Sequence, residues 1–233
     1  MKSRRWRAQR GVTLISLLIG ITISMIAMVA MMMVFKNVAS AALEARESST
    51  AEGLYTSAAS TGSILMQEAG YGISNPQLGT HLVVIAGASL NDNRLSGSAA
   101  PGNSRSGNAV VWAVRNGAAL RCAGLYAPSA GGLRSLPAVD CTGAGAWNTL
   151  TWEPVTLVPS PPAASDIDKA DRGVPVIFGI NARIQSCKVF SVTDTAGNVV
   201  VSLVADYSRG ERMSLTTEQC LANFPVPVAA PAA

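Results

Sequence analysis

The residues that could do chemistry are few and scattered in this 233-residue chain. The single histidine, His81, stands beside no serine or cysteine motif, and no G-x-S-x-G sequence occurs, so a hydrolase site is not predicted. Asp166, Asp168 and Asp171 form a D-x-D-x-x-D cluster, which offers oxygen ligands for Ca²⁺ but lacks the glycine and distal glutamate of an EF-hand loop. A solvated loop is the favoured interpretation, and we predict neither enzyme activity, cofactor nor metal centre.

Four cysteines lie in the C-terminal half, at positions 122, 141, 187 and 220. None forms a C-x-x-C pair and His81 is distant, so a zinc site is not expected, whereas an even number of cysteines in an exported chain favours disulfides. Three pairings are possible. We favour Cys122–Cys141 and Cys187–Cys220, because each closes a loop within one half of the region and stabilises it by about 3–4 kcal/mol.

Positive charge is concentrated at the extreme N-terminus. Five of the eighteen basic residues precede Gly11, leaving thirteen against fourteen acidic residues in the remainder of the chain. No basic stripe with interleaved aromatic residues remains, so the folded part is not expected to bind nucleic acid.

An uncharged stretch follows, from Val12 through Phe35. As a helix these residues would extend about 36 Å, enough to cross a hydrocarbon core of about 30 Å. The stretch exceeds the apolar region of a cleavable secretory signal, and Lys36-Asn37-Val38 follows it, so we expect it to stay in the mature protein. Positive charge before the span places the N-terminus in the cytoplasm and the remainder outside.

Small residues recur within this stretch. Ser16, Gly20 and Ser24 follow one another at four-residue intervals, with Thr13 and Ala27 three residues before and after them. Such a stripe lets another helix approach closely, in lipid or in a bundle. The alternative is chance composition in a single membrane anchor.

Several of these features together resemble the class III signal of type IV pilins and pseudopilins, and specifically the minor pilins of the PilW type. They are the basic leader ending in Arg10-Gly11, the start Val12-Thr13-Leu14-Ile15, the apolar helix and the sequence QEAGYG at 67–72. The resemblance implies that prepilin peptidase removes the leader, residues 1–11, by cleavage between Gly11 and Val12. The same enzyme would then methylate the new amine of Val12, which stands where the family usually has Phe or Met.

The fifth residue after the cleavage site departs from the family pattern. The family normally has a glutamate there, thought to offset the buried N-terminal amine of a neighbouring subunit, and this chain has Ser16. A neutral hydroxyl cannot compensate a buried charge. A subunit at the filament tip has no predecessor, so the resemblance implies a place at or near the tip, in an initiating complex. The alternative is that Ser16 only weakens incorporation.

The resemblance also implies partners and location. The chain would rest in the inner membrane with its head in the periplasm, then join other minor pilins and the major pilin through the N-terminal helix, with a tip adhesin as a further partner. It would support pilus assembly, and so adhesion, twitching motility or DNA uptake. The alternatives are a type II secretion pseudopilin and a membrane-anchored periplasmic binding module that does not assemble.

The remaining chain predicts an α+β fold, in which a long helix packs on a β-rich, disulfide-bonded head. After the span at 12–35, residues 36–70 continue as an amphipathic helix ending near Gly70 and Gly72. The head covers 71–225 and a flexible tail 226–233, with loops at 89–108 and 127–146 and a linker at 158–165. The predicted strands are His81–Ala86, Ala109–Val114, Leu120–Tyr126, Thr149–Glu153, Val174–Ile180, Arg183–Val192 and Val199–Asp206.

Overall fold

The structure, a computed structural model, describes residues 13–160, 177–187, 197–209 and 211–226. Over these ranges one α-helix, α1 (Leu14–Met66), precedes an antiparallel β-sheet head that contains two disulfides. The α+β class predicted from the sequence is confirmed. The chain divides into two compact units, Met1–Glu47 and Ser48–Ala233.

The first unit contains the N-terminal stretch of α1. Thr13 caps the helix, because its Oγ1 accepts a hydrogen bond from the Ser16 N–H at 3.4 Å. The first backbone hydrogen bond runs from the Leu17 N–H to the Thr13 carbonyl at 3.2 Å. Large apolar side chains cover this stretch, and each is at least half exposed.

The head is built from ten strands among the described residues, joined into two antiparallel sheets. In chain order they are β1 (Leu82–Asn91), β2 (Arg94–Ala99), β3 (Ser104–Gly107), β4 (Ala109–Asn116), β5 (Ala119–Tyr126), β6 (Leu133–Asp140), β7 (Val155–Val158), β8 (Ile177–Ser186), β9 (Gly197–Arg209) and β10 (Glu211–Val226). The larger sheet has the order β2-β1-β4-β5-β6-β7, and the smaller has the order β10-β9-β8-β3.

The core of the head forms on both faces of the larger sheet. On one face, Tyr55, Ala58 and Met66 of α1 pack with side chains from both sheets, including Trp112 and Phe178. On the other face, a second buried cluster contains Ile85, Leu95, Trp147 and Trp152. The central strand β4 is therefore buried on both sides from Ala109 to Val114, which explains its uninterrupted apolar sequence.

Several predicted loops contain strands. Residues 89–108 hold β2 and β3, and residues 127–146 hold β6. The first prediction was wrong because a two-residue turn at Asp92 and Asn93, with φ of 47° and 62°, joins β1 to β2 and lets a Gly/Ser-rich sequence pair. The prediction of a loop at 127–146 was wrong because backbone pairing with β5 on one side and β7 on the other makes β6 a strand.

The prediction of a strand at Thr149–Glu153 is also wrong. A 3₁₀ helix occupies Ala144–Thr149, and β7 begins only at Val155. The intervening Trp152 is fully buried, and its backbone N–H donates to the Asn93 carbonyl at 2.7 Å. The bulky residues that favoured a strand thus fill the core from an irregular segment.

The C-terminal strands differ from the prediction in their extent. Ile180 and Arg183, assigned to two strands, lie in the single strand β8, and residues 174–176 and 188–192 are outside the described ranges. Strand β10 was not predicted, because its polar, alternating sequence lacks an apolar run. It continues to Val226, where the tail was expected to begin, and residues 227–233 are not described.

Candidate functional site

The candidate catalytic and metal residues do not assemble into a site in the described part of the chain. His81 lies just before β1, where its Nδ1 accepts a hydrogen bond from the Gln77 N–H at 3.0 Å and closes a local turn. Asp166, Asp168 and Asp171 fall outside the described ranges. Among the described residues, no group of three or more His, Cys, Asp or Glu side chains could hold a metal ion.

The four cysteines are brought together in two pairs. Cys122 of β5 is bonded to Cys141, with their Cα atoms 5.8 Å apart. Cys187, which follows β8, is bonded to Cys220 of β10, with their Cα atoms 6.1 Å apart. Cys122–Cys141 joins β5 to the end of the neighbouring strand β6, whereas Cys187–Cys220 joins the end of β8 to β10, on the far side of β9. The pairing is the one favoured from the sequence.

The apolar surface of α1 is the main feature of the first unit. In the described residues, α1 is the one helix long and apolar enough to cross a membrane by length and composition, with a mean hydropathy of 2.5 in its most apolar window. Met32 is 76% exposed and Phe35 is 75% exposed, so these side chains find no partner within the unit itself. Exposed apolar area on this scale requires lipid or other protein around it.

Ser16, Gly20 and Ser24 lie together along this surface, in a shallow groove completed by apolar side chains. The Ser24 hydroxyl donates to the Gly20 carbonyl at 2.8 Å, so its hydrogen-bonding capacity is used within the helix. A Cβ atom added at Gly20 would have no neighbour within 4 Å. The groove can therefore accept the backbone or a bulky side chain of another helix. Its other lining residues are Leu17, Ile21, Met25 and Met28.

Ser16 also has a position in the helix cap that the sequence analysis missed. With Thr13 as the N-cap, Ser16 is the third helical residue, where a Glu or Gln side chain completes a capping box by reaching back to the N-cap N–H. A Ser side chain is too short for that bond. The T-x-x-S sequence was the signal that could have shown this. Gly11 and Val12, the predicted cleavage and methylation positions, are outside the described residues.

At its other end, α1 is fastened to the head by the QEAGYG sequence. The Gly70 N–H donates to the Ala113 carbonyl at 2.9 Å, and the Arg115 N–H donates to the Tyr71 carbonyl at 2.8 Å, so the turn pairs with β4. Gly70 has φ of 76°, and a Cβ atom there would lie 2.7 Å from Phe224 Cε2. Glycine is thus required both by the backbone conformation and by close packing.

A side chain from β10 caps the same helix end. Asn223 Nδ2 donates to the Gln67 carbonyl at 3.3 Å and to the Ala69 carbonyl at 3.0 Å. The Gln67 carbonyl directly follows the last helical residue, Met66, and the Ala69 carbonyl lies in the turn beyond it, so Asn223 satisfies acceptors just past the helix C-terminus. No local sequence pattern signals this contact, because the partners are more than 150 positions apart.

One comparison with known proteins is positive. Residues 6–32 match the model of the prokaryotic N-terminal methylation motif, which covers the predicted cleavage site and all but the last three residues of the apolar stretch. No curated protein and no solved structure matches the chain. The motif implies processing by prepilin peptidase and, with the apolar helix, supports anchoring in the inner membrane and incorporation into a pilus-type filament. Together with the α+β architecture, it supports a type IV pilin-like protein, a pilin or pseudopilin whose role is structural.

Proposed function

We propose that this protein is a minor pilin of the PilW type, which acts at or near the tip of a type IV pilus in the complex that initiates assembly. The observation that carries the proposal is that the methylation motif coincides with a helix stretch whose apolar side chains are exposed and whose small residues line an open groove. This combination suits a helix that must be stable in two environments in turn.

Those environments are the lipid bilayer and the interior of a helical filament. Both are apolar, so transfer between them changes the hydrophobic free energy little. What distinguishes them is packing, because only a neighbouring helix can fill the groove at Ser16, Gly20 and Ser24. The groove therefore favours the filament over the membrane, and the head follows because α1 is continuous into it.

The proposed position at the tip depends on Ser16. A subunit added beneath an existing one buries its N-terminal amine, and a neighbour without a carboxylate leaves that charge unpaired, which is costly. The first subunit of a filament meets no such requirement. Ser16 is thus compatible with initiation and unfavourable for elongation.

The test compares Ser16→Glu with Ser16→Gln in the full-length chain. Both side chains can complete the capping box with Thr13, so both variants stabilise the helix start, and only the glutamate supplies charge. If Ser16 restricts the chain to the tip, Ser16→Glu distributes it along the filament, whereas Ser16→Gln stays at the tip, as seen by immunogold labelling of sheared pili. Equal labelling in both variants would show that charge at this position does not govern placement.

Processing is tested by intact-mass spectrometry of the mature chain. Cleavage predicts a chain starting at Val12 and carrying one added methyl group. A chain that retains Met1 would instead indicate a membrane-anchored binding module that never assembles. Deletion separates the remaining alternative, since a minor pilin affects twitching and pilus number, whereas a type II pseudopilin affects protein secretion.

A further inference from the structure

The disulfide between Cys187 and Cys220 is attached to the segment of β10 that closes the end of α1. Directly after Cys220, residues 222–224 bulge out of the pairing between β10 and β9. Within this bulge, Asn223 donates to the carbonyls just past the end of α1, and Phe224 is fully buried in the core of the head. The disulfide is therefore the covalent link that holds the bulge close to β8.

The two disulfides differ in how deeply their cysteines are buried. Cys122 is fully buried, whereas Cys141, Cys187 and Cys220 are each half-buried. An external thiol can therefore reach Cys141 in the first pair and either cysteine in the second. In thiol–disulfide exchange the attacking thiolate bonds one sulfur and expels the other, and the reaction is faster when the expelled thiolate is more stable. The surroundings of the expelled sulfur thus decide which disulfide opens.

The surroundings of Cys122 are unfavourable for a thiolate. Cys122 belongs to the buried apolar cluster of the larger sheet, with Ile85, Ala113 and Trp147 among the other members. Attack at Cys141 would expel a negative charge into this cluster, which is costly. Because burial in apolar surroundings makes a structural cysteine inert, we expect Cys122–Cys141 to resist exchange.

The surroundings of Cys220 differ, because an amide contacts its sulfur. Asn198 of β9 is 1% exposed, and its Nδ2 donates to Cys220 Sγ at 3.7 Å. The sulfur of a disulfide is a weak acceptor, whereas a thiolate in the same place would accept a charge-assisted hydrogen bond. Asn198 therefore stabilises Cys220 most as an expelled thiolate. Among the described side chains none donates to Cys187, so attack at Cys187 is favoured over attack at Cys220.

The acceptor atom of the same amide is unused in the oxidised head. Asn198 Oδ1 is buried and has no hydrogen-bond partner among the described residues. Buried polar atoms without a partner are uncommon, and a redox role is one reason for them. After a rotation of the amide, a Cys220 thiol can donate to Oδ1. Asn198 can thus bind reduced Cys220 as a thiolate through Nδ2 and as a thiol through Oδ1.

The charged residues on this face of the smaller sheet do not oppose that role. Glu218 lies two positions before Cys220 on the same face of β10, where an unpaired carboxylate would repel a thiolate. Its Oε1 is 2.6 Å from Arg183 Nη2 of β8, on the other side of β9. The two charges compensate each other, so Asn198 remains the group that distinguishes Cys220 from Cys187.

We propose that Cys187–Cys220 is a site of thiol–disulfide exchange, at which an external thiolate attacks Cys187 and Cys220 leaves as a thiolate stabilised by Asn198. The attacking sulfur bonds Cys187 Sγ as the Sγ–Sγ bond breaks, and the electron pair of that bond remains on Cys220 Sγ. A second external thiolate then attacks the first external sulfur and expels Cys187. Two thiols are thereby oxidised to one disulfide, and the protein gains two electrons. Reduction releases the bulge at 222–224 from β8 and loosens its hold on the end of α1.

The position of the first adduct tests the direction of attack. The full-length protein in detergent is treated briefly with reduced glutathione, or with a reduced thioredoxin that lacks its second cysteine, then quenched with acid, alkylated and mapped by peptide mass spectrometry. We expect an adduct on Cys187 and an intact Cys122–Cys141 bond. An adduct from either reagent on Cys187 supports the site, and the reagent that reacts shows whether it admits small thiols, proteins or both. An adduct mainly on Cys220, earlier opening of Cys122–Cys141, or no adduct overturns the proposal.

Substitutions of Asn198 test the part played by its amide. Asn198→Leu should slow the reduction of Cys187–Cys220 by dithiothreitol about tenfold, the effect of one hydrogen bond to a charged group. Asn198→Asp should slow it further, because a carboxylate repels the expelled thiolate. Ser202→Ala is the matched control, since Ser202 is buried on the same face of β9, and it should leave the rate unchanged.

The reduction of Cys122–Cys141 provides the internal reference for these variants. A head that is merely loosened by substitution would open both disulfides faster, whereas the loss of thiolate stabilisation slows only Cys187–Cys220. An unchanged or faster rate in Asn198→Leu would show that the amide does not act on the expelled sulfur. If a variant does not fold, the adduct position in the native chain still decides between Cys187 and Cys220.

Hydrogen exchange tests the consequence of reduction for the head. After selective reduction of Cys187–Cys220, amide exchange should become faster in residues 221–226 and stay unchanged in β5 and β6, which the other disulfide joins. Unchanged exchange in residues 221–226 would show that this disulfide does not hold the bulge, and that part of the proposal would be wrong. None of these results depends on pilus formation or on cleavage at Gly11.

Discussion

The hydrogen bonds that Asn223 donates at the end of α1 predict which of two substitutions at this position destabilises the head more. Asn223→Ala removes the two hydrogen bonds to the Gln67 and Ala69 carbonyls. Asn223→Asp keeps the size of the side chain and replaces the donor by a carboxylate, which then faces two carbonyl oxygens at the negative end of the helix. We therefore expect Asn223→Asp to destabilise the head more than Asn223→Ala.

The size of each effect follows from the contacts. A hydrogen bond contributes about 0.5–1.5 kcal/mol net, and the partial exposure of Asn223 lets water replace part of it, so the alanine variant should lose about 1–2 kcal/mol. A negative charge at a helix C-terminus costs a further amount of about 0.3–1 kcal/mol. For a domain of this size, each 1 kcal/mol lowers the Tm by roughly 2–4 °C.

Near-ultraviolet circular dichroism of the full-length protein in detergent is a suitable assay, because Trp112, Trp147 and Trp152 are all buried in the head. Asn91→Asp is the matched control, since Asn91 is exposed and its Nδ2 makes one weak hydrogen bond, 3.4 Å long, to Ser89 Oγ. It should change the Tm by much less. A smaller loss for Asn223→Asp than for Asn223→Ala would refute the argument that the amide acts as a helix cap.

Three further changes test other parts of the head, each by thermal unfolding. Gly70→Ala should cost about 2 kcal/mol or more, from the strained φ and the contact with Phe224, whereas Gly53→Ala, in open space within α1, should stabilise by up to about 1 kcal/mol. Asn108→Ala should cost about 2–4 kcal/mol, because it removes three hydrogen bonds. The Asn108 Oδ1 accepts from the Ala88 N–H at 2.6 Å, and its Nδ2 donates to the Ala88 and Ala127 carbonyls at 2.8 and 2.9 Å. No measurable loss would mean that water replaces these hydrogen bonds. Replacing Cys122 and Cys141 together by serine should cost about 3 kcal/mol, as expected for a closed loop of 19 residues, and reductant should then have a smaller effect than on the native chain.

The parts of the fold that were predictable from the sequence are those specified by local pattern. The apolar run of α1 and the buried runs of β1, β4 and β5 are continuous in sequence, so their type could be assigned without knowing their neighbours. Strands β2, β3 and β6 could not be assigned in this way. Their sequences are rich in glycine, serine or isolated polar residues, and they are strands because a central strand offers them backbone partners.

The same distinction holds for the candidate site. The groove at Ser16, Gly20 and Ser24 is a consequence of helical periodicity, so the spacing alone predicted that these residues share a face. The Asn223 cap and the Trp112 indole N–H that donates to Glu68 Oε1 at 3.4 Å join residues distant in the chain. Such contacts depend on the packing of the whole head and have no local signature.

Small residues have two different roles along α1, and this division supports an assembly function for its N-terminal stretch. In the head, Ala58 and Ala59 are buried, and a Cβ atom at Gly62 would lie 3.3 Å from Leu125 Cδ1, so these positions already serve packing within the chain. At Gly20 the same kind of residue has no intrachain neighbour within 4 Å. A groove left open in this way lowers the free energy of the protein only when another helix fills it. The helix α1 is continuous from that groove to Met66, and the turn that follows Met66 is hydrogen-bonded to Asn223 of the head. When another helix fills the groove, the folded head is therefore incorporated together with α1.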